Sequence, residues 1–162
     1  MPVETIIEEE RWISLDLPGL SVRVFEAFMS EMTLDPDLFE VTVLGCDDHK
    51  IAQLNADFRG RPQPTNVLSW PGVARAADTP GRAPRRPDRE SEVELGDIAI
   101  AFQTSTREAC AQRKKARDHV AHLLLHGMLH LLGYDHVDDK DAALMEEIEI
   151  KILGKMGISD PY

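Results

Sequence analysis

Three histidines, His126, His130 and His136, stand in the order H-x3-H-x5-H, a spacing suited to one metal ion. His126 and His130 are four residues apart in an apolar, helical stretch, so their rings lie on one face, one turn apart. Gly133 can take the left-handed conformation that ends a helix, and the returning chain then brings His136 toward the same ion. Three protein ligands leave the fourth position of a tetrahedral ion open, as in catalytic rather than closed structural sites. Zinc (Zn2+, one per chain) is the preferred ion, although three imidazoles also accept nickel, copper or iron. Zinc lowers the pKa of its bound water to about 7 in a suitable site, so the expected chemistry is hydrolysis.

The other polar residues near this segment are expected to take lesser parts. His122 shares the face but lies about 12 Å from His130 along a helix rising about 1.5 Å per residue, so the two cannot grip one ion. It is expected beside the site. Asp135 is placed to orient an imidazole or a bound water. His119 and His49 are expected to be surface or packing residues. Cys46 and Cys110 form no C-x-x-C pair and are expected to be buried thiols.

The elements that must position the histidines follow from periodicity. Val3–Glu9 reads as an edge strand. Leu20, Val24, Phe25, Phe28, Met29 and Met32 follow helical spacing behind Pro18, which predicts a helix over 19–32. Phe39, Val41 and Val43 alternate with polar residues as a strand does. A helix is expected over 47–58, capped by Asp47 or Asp48 and stopped by Gly60, Pro62 and Pro64. Strands are expected at 67–70 and 95–102, then helices at 103–112, 116–132 and 138–155, the last with Asp138 as its cap and Leu144, Ile148 and Ile152 on one face. Between the two later strands, residues 72–90 read as a flexible loop rich in arginine and proline. Mixed helices and strands without regular βαβ alternation point to an α+β fold, a small mixed β-sheet covered by helices, with a zincin-like metal site on a central helix.

At 162 residues the chain is expected to form a single domain. The acidic N-terminus lacks the pattern of a secretory signal and no apolar run is long enough for a membrane span, so a cytoplasmic protein is expected. The net charge of −11 argues against a broadly basic nucleic-acid-binding surface. It is unevenly spread: residues 1–50 hold 12 acids against 3 bases, residues 51–134 hold 9 against 12, and residues 135–162 hold 8 against 3. A local basic channel on an acidic body fits this distribution, as do ordinary solvated faces.

The histidine spacing is also that of the metzincin protease signature H-E-x-x-H-x-x-G-x-x-H, but Gly127 stands where the protease has its general-base glutamate. A metallopeptidase-like hydrolase is therefore disfavoured. The eleven residues H-G-M-L-H-L-L-G-Y-D-H closely resemble instead the signature of the YbeY family of bacterial metal-dependent endoribonucleases. Leu54-Asn55-Ala56-Asp57-Phe58-Arg59, Pro64-Thr65-Asn66-Val67-Leu68-Ser69-Trp70-Pro71 and Leu95-Gly96-Asp97-Ile98 resemble further segments of that family, in order, over about residues 40–155. Asn66 and Trp70 depart from the commoner aspartate and phenylalanine.

The resemblance implies that His126, His130 and His136 are metal ligands and that Arg59 is functionally important. A guanidinium there suits phosphodiester cleavage, in which charge builds on non-bridging oxygens. Asn55 and Ser69 are expected to shape the cleft, and Arg85, Arg86, Lys114 and Lys115 to track a single strand. The implied activity is cleavage of single-stranded ribosomal RNA precursors, including 16S rRNA 3′-end maturation. The implied partners are the small ribosomal subunit and a ribosome-assembly GTPase. The alternative is a non-catalytic assembly factor with a structural metal.

Overall fold

Val41, Val43 and Gly45 are buried while Glu40 and Thr42 are not, and this alternation makes Glu40–Cys46 (β2) a strand with one face on the core. In the computed structural model, which describes residues 2–75, 77 and 79–162, β2 is an inner strand of a four-stranded sheet. Val3–Ile7 (β1) pairs with it in parallel along one edge, and Glu94–Ala101 (β4) pairs in parallel along the other. Val67–Pro71 (β3) runs antiparallel to β4 and closes the far edge. The order is β1-β2-β4-β3, a mixed sheet as expected.

Strand β4 is apolar on both sides because both sides are covered. Ile98 and Ile100 join the main core with Leu17–Glu31 (α1) and Ala116–Leu131 (α4), while Ala99 and Ala101 pack with Cys46, Ile51 and Leu68 beneath Asp48–Arg59 (α2). Helix α4 touches α1, β3, β4, Phe102–Ala111 (α3) and Asp139–Lys155 (α5). Its ten buried residues reflect that position, and its histidine edge is what remains for a cleft. The caps agree with the expected helix starts: Asp47 accepts from the Lys50 amide and Asp138 from the Lys140 amide, both at 2.8 Å. Asp48 instead accepts from the Thr104 amide and hydroxyl, tying α2 to the start of α3.

Several expectations need correction. A 3-10 helix over Glu10–Leu15, which periodicity does not signal, buries Trp12 completely and lets its indole donate to the Cys46 carbonyl at 2.9 Å. Cys110 is exposed, because Ala109 and Ser105 take the inner side of α3. Along α5 the innermost residues are Met145, Glu149, Ile152 and Leu153, with Leu144 and Ile148 only partly buried.

The arginines of 72–90 are mostly committed to holding the loop. Arg75 is buried, donating from Nε to Glu92 at 3.0 Å and from Nη1 to the Leu131 carbonyl at 2.8 Å. Arg85 pairs with the same Glu92 at 3.0 Å, and Arg86 donates to the Met32 and Thr33 carbonyls that end α1. Ala76 and Asp78 of that loop lie outside the described residues. Among the described residues no helix is long and apolar enough to cross a membrane.

Candidate metal centre

Helix α4 stops because Gly133 takes φ +100°. The Gly133 amide then donates to the His130 carbonyl at 3.0 Å and the Tyr134 amide to the Leu129 carbonyl at 3.1 Å, the paired bonds of a Schellman ending. The chain turns back, Asp135 accepts from the His136 amide at 2.7 Å, and His136 arrives beside its two predecessors. One nitrogen from each of His126, His130 and His136 lies within 4.8 Å of the others. The His136 ring centroid is 5.2 Å from both neighbours.

Outer hydrogen bonds orient two of the rings. Nδ1 of His130 donates to the Tyr134 carbonyl at 2.8 Å, and Nδ1 of His126 faces Oε1 of Glu149 at 3.4 Å. With the protons on Nδ1, both Nε2 atoms turn lone pairs toward each other, 3.0 Å apart. Two facing lone pairs repel unless a cation sits between them. Nitrogens about 2.0–2.1 Å from a tetrahedral ion stand about 3.3 Å apart, so the donor set fits zinc or a similar divalent metal. Burial, reinforced by the nearby His126, lowers the His130 pKa to about 4, which keeps that imidazole in its neutral, ligating form.

Glu149 is the functional candidate that the sequence reading missed. It is fully buried, takes Nε2 of His122 at 2.5 Å, and accepts from the Tyr162 hydroxyl at 2.9 Å. Burial acts to raise its pKa, but the hydrogen bonds from His122 and His126 outweigh it and hold the carboxyl down at about 2. His122, His126 and Glu149 also form a close group. Since His126 has one ring nitrogen on Glu149 and the other toward His130, this group reads as the support of the three-histidine site. The available signal was an acid at the i+4 position from Met145 on the inner face of α5.

The site opens into a cleft of about 1020 Å³. His122, His126, His130, Asp135 and His136 line it, with Arg59 and Ser69 from α2 and β3. Arg59 makes no ion pair among the described residues. Lys114 also reaches the cleft, but its Nζ donates to the Pro161 carbonyl at 3.0 Å. Asn55, Arg85, Arg86 and Lys115 are not among the lining residues. Asn55 is buried and donates to the Gln63 carbonyl, which secures the chain leaving α2. His119 is buried against Glu108 at 2.9 Å, and His49 is exposed. Asn66 donates to the same Glu108 at 3.0 Å, a bond that an ionised aspartate could not make.

The sequence profile described as Endoribonuclease YbeY matches residues 7–157. The chain belongs to that family. Among YbeY relatives, Endoribonuclease YbeY of Ruegeria pomeroyi is 54% identical, over 100% of this chain and 98% of its own. Endoribonuclease YbeY of Paracoccus denitrificans is also 54% identical, over 99% and 89%. The solution structure of TM1509 from Thermotoga maritima has a TM-score of 0.61 and covers 98% of this chain and 97% of its own. At 24% identity it supports the fold alone.

Within this YbeY fold the glycine after His126 has a packing role. A Cβ on Gly127 would meet Ile98 of β4 at 3.2 Å, so this position faces the sheet at close quarters. It carries no group that could act as a protease base.

Proposed function

We propose that this chain is a cytoplasmic, zinc-dependent endoribonuclease that cuts single-stranded ribosomal RNA precursors, including the cut that matures the 16S rRNA 3′ end. The observation that carries this reading is the presence of Arg59 and three convergent imidazoles in one cleft. His126, His130 and His136 would hold the ion. When bound, it supplies Lewis-acid polarisation and hydroxide near neutral pH.

The remaining tasks fall to the chain. Arg59 stands at the last turn of α2, and its guanidinium can bind two non-bridging phosphate oxygens as their charge grows. Tyr134 and Glu149 keep His130 and His126 turned toward the ion. The acidic ends of the chain offer surface for basic proteins of the small ribosomal subunit, with a ribosome-assembly GTPase as a further partner.

The test joins metal analysis of purified protein to a cleavage map on precursor small-subunit RNA. About one zinc per chain is expected, with discrete cuts that vanish in a folded His130→Ala variant and fall at least tenfold in Arg59→Glu. Cleavage by the parent no faster than by His130→Ala removes the enzyme reading and leaves ribosome assembly as the role.

A further inference from the structure

Phe58 is 64% exposed although it sits one residue before Arg59 on the wall of the cleft. Its ring meets that of Trp70 on β3 edge to face, with centroids 5.3 Å apart and planes at 65°. Such a contact fixes a ring's orientation without covering both of its faces. We propose that Phe58, braced by Trp70, is a stacking platform for one nucleobase of a single-stranded RNA whose neighbouring phosphate lies on Arg59. The proposal rests on the RNA reading above and names a subsite within it.

Electrostatics argues for such a subsite. The chain carries a net charge of −11, and three arginines of the 72–90 loop are already used, while Arg82 and Arg89 of that loop do not line the cleft. Arg75 is buried on Glu92 and Leu131, Arg85 pairs with Glu92, and Arg86 is held by backbone carbonyls of the α1 terminus. Arg59 and Lys114 are the other cations on the cleft wall, which also bears Glu108 and Asp135. A strand held there cannot draw its affinity from phosphate contacts alone. Every base has a π-face, and an exposed, oriented aromatic ring beside a guanidinium offers a contact that tolerates any sequence.

The fold favours this use over a packing role. Phe58 is not among the residues of either core, whereas Leu54 and Trp70 pack partly against the smaller one. Trimming the Phe58 ring should leave the fold intact. The other tryptophan, Trp12, is fully buried, so Trp70 emission can report occupancy of the platform over a constant background.

The test uses metal-loaded, full-length protein and a short single-stranded RNA. Phe58→Ala is expected to raise KM about tenfold with kcat little changed, Phe58→Tyr to restore it, and Phe58→Leu not to. RNA should quench Trp70 emission in the parent. Single abasic sites placed along the substrate should reveal one position that costs the parent about tenfold and costs Phe58→Ala nothing more. The salt slope should be no steeper than about −1.4, for two phosphate contacts at about −0.7 each. A Phe58→Ala variant with the parent's KM, or abasic losses identical in both proteins, overturns the platform while leaving RNA cleavage standing. Loss of small-subunit binding with unchanged oligonucleotide binding also overturns it, in favour of a protein contact. A parent that neither binds nor cuts single-stranded RNA ends both readings together.

Discussion

Nδ1 of His126 meets Oε1 of Glu149 at 3.4 Å across the contact between α4 and α5. The other carboxylate oxygen takes His122, and the hydroxyl of Tyr162 completes the set, so one buried acid sets the orientation of a ring of the three-histidine group from behind. Outer partners of this kind raise ligand basicity and hold the ring in place. Glu149→Gln keeps the shape but turns one acceptor into a donor facing imidazole N–H groups. Metal affinity is expected to fall about 10- to 100-fold, measured by competition against a chelator. Unchanged affinity would remove Glu149 from the site.

His130 and Glu149 give the metal-free protein a two-limbed acid response. His130 titrates near 4 in the folded chain against 6.5 for an ordinary imidazole, so the unfolded chain takes up this proton first and stability declines as pH falls from 6.5 to about 4. Glu149 titrates near 2 against 4.5, so its contribution is whole above 4.5 and is lost as pH falls toward 2. Urea midpoints of chelator-treated protein should drop through both intervals. His130→Gln should lack the upper limb and Glu149→Gln the lower one.

Arg75 makes a third prediction, on stability. Its side chain is fully buried, and Nη1 satisfies the Leu131 carbonyl in the last turn of the histidine helix, where carbonyls lack intrahelical partners. Arg75→Ala strands that carbonyl and leaves a void, for a loss of about 2–3 kcal/mol in urea unfolding. Arg75→Lys should recover little, because one ammonium cannot reach both Glu92 and Leu131 from one position. Arg85→Ala removes a half-exposed partner of Glu92 and should change stability by less than about 1 kcal/mol.

Arg75 also marks where the sequence stops being legible. Local signals were sufficient for the approach of His126 to His130 and for the stop at Gly133, because helical spacing and a helix stop are both properties of a few adjacent residues. The helices and strands were legible for the same reason, to within a residue or two at most boundaries. Arg75, Arg85 and Arg86 look like a basic track in sequence because their partners, Leu131, Glu92 and the end of α1, come from elsewhere in the chain. Glu149 follows Glu146 and Glu147 and reads as part of a solvated acidic run, until the packing of α5 turns it inward. Strand order was hidden likewise, since the antiparallel placement of β3 on β4 is a long-range pairing that no local pattern encodes.

Gly127 supplies the last prediction, on why this histidine helix is not a protease helix. A glycine within a helix costs about 1 kcal/mol relative to alanine, so its presence needs a reason in packing. Ile98 is that reason, with Cδ1, Cγ1 and Cγ2 at 3.2, 3.3 and 3.3 Å from where a Cβ would stand. Gly127→Ala should therefore lose about 1 kcal/mol in the parent, despite better helix propensity, because β4 cannot easily recede. In an Ile98→Ala background the same change is freed of these three contacts and should gain up to about 1 kcal/mol. An equal effect in both backgrounds would clear Ile98. Gly127→Glu should lose more than the alanine variant by driving a carboxylate against the sheet, and no metal-dependent cleavage of a peptide panel should appear, since that side chain points toward β4.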